Sequence, residues 1–84
     1  MRDEEAEVLR SKVHVLSADQ LIEMLVKRNG PITQFDFIKM FKAAFPTVPL
    51  RVLKEASASR HVVGEGGVDA ARINELLDPW LRTG

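Results

Sequence analysis

The chain has 84 residues and a mass of 9.4 kDa, enough for one hydrophobic core, and a chain of this mass is expected to expose about 5,000 Å² when folded. Twelve basic and twelve acidic residues cancel, so no net charge marks a nucleic-acid or membrane partner. The absence of cysteine excludes disulfide scaffolds, thiolate metal sites, iron–sulfur clusters and cysteine nucleophiles, and no apolar run approaches the roughly 20 residues that cross a bilayer.

Residues 1–16 read as an acidic lead-in followed by an amphipathic segment, with Val8, Leu9, Val13 and Leu16 at helical spacing. The acidic start lacks the basic character of a secretory or mitochondrial leader, so an intracellular protein is expected. Residues 17–84 read as a single domain. Ser17 and Gln20 have the spacing of a capping box, and Leu16 and Leu21 that of a hydrophobic staple. Leu21, Ile22, Leu25 and Val26 then repeat at helical period until Asn29-Gly30-Pro31. Glycine tolerates the left-handed stop and proline cannot continue, so a helix is predicted over residues 18–28.

Thr33 can cap the next helix, in which Phe35, Ile38, Phe41, Ala44 and Phe45 recur at steps of three and four. These five are expected to face the core, leaving Lys39 and Lys42 on another face. Pro46 and Pro49 bracket a corner, and Pro49 suits the first turn of a third helix. Leu50, Leu53 and Ala56 are expected to point inward from it, with Arg51, Lys54 and Glu55 outward. The His61-Val62-Val63 run is β-prone, and Gly64-Glu65-Gly66-Gly67 is a flexible turn. Asp69 can cap a last helix carrying Ile73, Leu76 and Leu77, which Asp78-Pro79 is expected to interrupt before Trp80-Leu81.

This order of elements resembles the winged-helix branch of helix-turn-helix domains. The resemblance covers residues 17–68 and rests on Leu21 to Val26, the Gly30-Pro31-Ile32-Thr33 turn and the helix from Phe35 to Phe45. LOTUS and Sosondowah-type domains are similar in outline. It implies a mainly α fold: a compact three-helix core with a short β element, plus N- and C-terminal helices. Ile32 would lie in a first strand with Val62-Val63 beside it. Val68-Asp69-Ala70-Ala71 is poor strand sequence, so a bundle of four or five helices is the alternative.

The cancelled charge is unevenly distributed. Residues 26–61 hold seven basic residues against two acidic ones, while residues 1–7 and 62–84 are net acidic. Lys and Arg displace counterions from a phosphate backbone and give affinity with little sequence information. A nucleic-acid-binding face is therefore expected on the second and third helices. Lys39, Lys42, Arg51, Lys54 and Arg60 would be phosphate contacts, and the family resemblance adds Ser57 and His61. The same charges also read as a solvated helix face. The other expectation is a protein-interaction or dimerisation domain with no nucleic-acid contact, using Val8, Leu9 and Val13 near the N-terminus or Trp80 and Leu81 near the C-terminus. A homodimer would form through the N-terminal segment.

Catalysis finds little support. His14 and His61 are the only histidines, and neither has a partner at metal-ligand spacing. Asp19 and Glu23 stand four apart in a first turn, where carboxylates suit the helix dipole and read as a solvated face. The Gly64–Gly67 turn lacks the lysine and hydroxyl of a phosphate loop. No enzyme, metal, cofactor or membrane partner is expected.

Overall fold

A computed structural model of the chain describes residues 4–81, so the outer ends of both expected segments, residues 1–3 and 82–84, lie outside it. Six helices follow in order among the described residues: α1 Glu4–Lys12, α2 Ala18–Asn29, α3 Gln34–Ala44, α4 Leu50–Ala56, α5 Arg60–Val63 and α6 Ala70–Leu81. The surface of 4990 Å² matches the area expected from the mass.

Side-chain caps fix the starts of α2, α3 and α6. Ser17 Oγ accepts from the Gln20 N–H at 3.2 Å, and Gln20 Oε1 accepts from the Ser17 N–H at 2.9 Å. Thr33 and Asp36 form the same reciprocal box on α3, at 3.0 and 3.4 Å. Asp69 Oδ1 accepts from the Arg72 N–H at 2.9 Å at the head of α6. The stop after α2 is Gly30, at φ +78°, where glycine alone is unstrained.

The core draws on five helices and the α3–α4 corner. Leu9, Leu21, Ile22, Leu25, Phe37, Phe41, Val48, Leu53, Ile73 and Leu77 are fully buried. Helix α1 packs on α2 and α3, α2 on α5 and α6, and α4 on α3 and α6. The rings of Phe37, Phe41 and Phe45 run in file along α3, with centroids 4.8 and 5.4 Å apart.

The structure corrects five expectations. First, the described residues contain no strand and no wing. Val62 and Val63 lie in the short helix α5, because Ser59 Oγ accepts from the His61 N–H and turns the chain helical; Ile32 lies in the α2–α3 connection. One parallel bridge, Ser59 to Val68, is what remains of the β element. Val68 donates to Ala58 O at 2.8 Å and its carbonyl accepts from Arg60 at 3.1 Å. The glycine turn thus folds back onto the entry to α5. The helical alternative gives the right class, with α5 taking the count beyond five.

Second, Phe35 faces solvent. Phe37, Phe41 and Ala44 form the buried stripe of α3. Two stripes with helical spacing overlap in that sequence, and packing against α1, α4 and α5 selects the one through Phe37. Third, Leu50 is exposed while Val52, Leu53 and Ala56 are buried, and Pro49 is the cap residue of α4. Fourth, α6 runs through Pro79 to Leu81. Pro79 stands in the last turn of the helix, so its missing N–H removes one bond, to the Glu75 carbonyl, and only two residues follow it before the helix ends. Fifth, Asp19 is nearly buried, not solvated.

Candidate nucleic-acid interface

The basic residues divide by what their charged ends touch. Arg28 makes a two-pronged contact with Glu5, at 3.0 and 3.1 Å. Lys27 pairs with Glu23 at 3.5 Å. Arg72 bridges Glu55 and Glu75, at 2.7 and 2.8 Å. Hydrogen bonding to Glu5 raises the Arg28 guanidinium above its ordinary pKa, and Glu55, then Glu75, do the same for Arg72. Arg10 reaches the Ala43 carbonyl at 3.4 Å.

Three of the seven residues expected on the binding face, Lys42, Ser57 and His61, have work inside the fold. The Lys42 ammonium donates to the carbonyls of Pro46 and Val48, at 3.0 and 2.8 Å, and closes the α3–α4 corner. His61 Nε2 lies 3.1 Å from Asp19 Oδ2, joining α5 to the first turn of α2. The Asp19 backbone N–H donates to Asn74 Oδ1 at 2.9 Å, so α6 meets the same point.

The other four, Lys39, Arg51, Lys54 and Arg60, are exposed and make no ion pair among the described residues. Both acids of the basic segment are engaged nearby: Asp36 caps the Thr33 N–H, and Glu55 is held by Arg72. None of the four cations forms an ion pair with either acid. Lys12, in the last turn of α1, is also exposed and unpaired, and lies outside the segment.

Gln34 ties together the two helices that carry three of them. Its side-chain amide donates to the carbonyl and hydroxyl of Ser57, at 3.3 and 3.4 Å, tying the start of α3 to the end of α4. Ser57 in turn donates to the Lys54 carbonyl at 2.6 Å. Lys39 lies on α3, Lys54 on α4 and Arg60 at the start of α5. Arg51 shares a face with Lys54, three residues earlier. Ser57 is buried and serves the junction.

Sequence reasoning missed Phe35 in this region. It is 67% exposed, and the Lys39 ammonium lies 5.3 Å from its ring centroid. The i to i+4 spacing of the two residues was the available signal.

The residues expected to contact a protein partner are dispersed. Leu9, Val13 and Leu81 are buried, Val8 is half-buried, and Trp80 is 38% exposed. No group of acids and histidines able to hold a metal occurs among the described residues, and none of their helices is long and apolar enough to cross a membrane. No family model, curated protein or solved structure matches the chain.

Proposed function

We propose that this chain is a non-enzymatic, intracellular nucleic-acid-binding module of helix-turn-helix type, without a wing, that grips the phosphate backbone with Lys39, Arg51, Lys54 and Arg60. One observation carries the reading. The other cations of residues 26–61 and Arg72 are tied to carboxylates or carbonyls, whereas these four are exposed and form no ion pair with either acid of the segment. Unpaired, solvated ammonium and guanidinium groups are the form in which phosphate oxygens are bound with release of counterions. Lys42 and His61 hold the α3–α4 corner and the α5–α2 junction that position the face.

The test is fluorescence anisotropy of labelled duplex and single-stranded DNA and RNA, titrated at about 50 and 200 mM salt, a range over which phosphate contacts lose affinity steeply. Binding that weakens with salt is expected. No binding at the lower salt would contradict the reading.

A second reading, a protein-interaction domain, draws on a different observation. Leu50 and Trp80 present apolar surface at 50% and 38% exposure, and Trp commonly anchors interfaces. The same titration separates the two, since this reading requires no affinity for any nucleic acid.

A further inference from the structure

We infer that the module takes unpaired nucleotides, with Phe35 as the platform on which a base stacks; this rests on the nucleic-acid reading above. Phe35 lies in the first turn of α3 and is 67% exposed even with the Lys39 ammonium over one face of its ring, which leaves the opposite face for a base. The core does not need it, because Phe37 and Phe41 from the same helix are fully buried in its place. An exposed aromatic ring with a lysine ammonium against it matches what single strands present: flat apolar bases threaded on a phosphate chain.

The surroundings fit that ligand. Lys39 sits one turn after Phe35 on the same side of α3, where it can hold a phosphate next to the stacked base. Lys54 and Arg60 lie near the Gln34–Ser57 link, one residue from Phe35 along the chain, and can take phosphates further along the strand. A hollow lined by Asn29, Pro31, Ile32, Asp36, Lys39 and Met40 adjoins the same turn. Its one acid, Asp36, is committed to the Thr33 N–H. In a duplex the base faces are covered by their neighbours, so only unpaired bases can use such a ring.

The experiment compares wild type, Phe35→Leu and Phe35→Trp against single-stranded DNA, single-stranded RNA and a duplex of the same sequence. Circular dichroism checks that each variant is folded, which the exposure of Phe35 favours. Phe35→Leu is expected to lose about 5- to 150-fold in single-strand affinity, the worth of one stacked base. Phe35→Trp should restore it, and duplex affinity should stay unchanged. The two single-strand arms show whether the sugar matters. If Phe35→Leu binds single strands as wild type does while Arg51→Ala/Lys54→Ala binds them weakly, stacking is overturned and the phosphate face stands. An equal loss on single strands and duplex also overturns stacking. If wild type binds no nucleic acid, both readings fall.

Discussion

His61 Nε2 and Asp19 Oδ2 meet at 3.1 Å across 42 residues of sequence, and the contact fastens the single turn of α5 to the head of α2. Asp19 is only 8% exposed, and its Oδ1 has no hydrogen-bond partner among the described residues. Removing His61 leaves both carboxylate oxygens unpaired in a nearly buried site. His61→Ala is therefore expected to cost about 1–3 kcal/mol in urea unfolding. Asp19→Ala/His61→Ala should cost clearly less than the sum of the two single changes, because the stranded carboxylate is gone. Additive costs would show that the pair does not act as a unit.

The capping boxes on α2 and α3 give a second expectation. Ser17→Ala and Thr33→Ala should each lower stability by about 1 kcal/mol. The two sites lie on different helices with no shared partner, so their effects should add in the double variant. A cost near zero for either would mean that its helix is held by packing alone.

These caps were readable in the sequence because they depend on residues three apart. Ser17 with Gln20, Thr33 before the phenylalanine-rich helix, and Gly30-Pro31 after α2 carry their geometry locally. What was not readable depends on contacts between distant segments. Phe35 and Phe37 both belong to helical stripes, and only packing against the other helices decides which one is buried. The β-prone Val62-Val63 became helical because Ser59 caps them and no second strand is present among the described residues to pair with. For the proposed site, charge density in the sequence named Lys39, Arg51, Lys54 and Arg60 as candidates together with Lys42. It could not separate them from Lys42, whose acceptors at Pro46 and Val48 are presented by a corner that forms only in the folded chain.

That difference makes Lys42 informative. Lys42→Met keeps the aliphatic stem and removes the two hydrogen bonds to the corner carbonyls. It is expected to lose about 1–2 kcal/mol of stability and little nucleic-acid affinity once folded. Lys54→Ala should do the reverse. Thermal melts and anisotropy on the same samples check both, and a large affinity loss in folded Lys42→Met would return that lysine to the binding face.

Gly67 is constrained by space. A Cβ there would lie 2.6 Å from Arg60 Cα and 2.7 Å from both Ala58 O and Arg60 N. All three are backbone atoms beside the Ser59–Val68 bridge and cannot swing aside. Gly67→Ala should destabilise by about 1–3 kcal/mol and displace Arg60 from the face. A variant as stable as wild type would show that the turn does not pack against the entry to α5.

The most direct test of the phosphate-binding face is the salt dependence of affinity for wild type and for Arg51→Ala/Lys54→Ala. Removing two phosphate contacts should make the slope of log K against log salt shallower by about 1.4 on single strands and about 1.8 on duplex, with thermal stability nearly unchanged because both side chains are exposed and unpaired. An unchanged slope and affinity in the double variant would contradict the assignment and leave these cations as solvated surface.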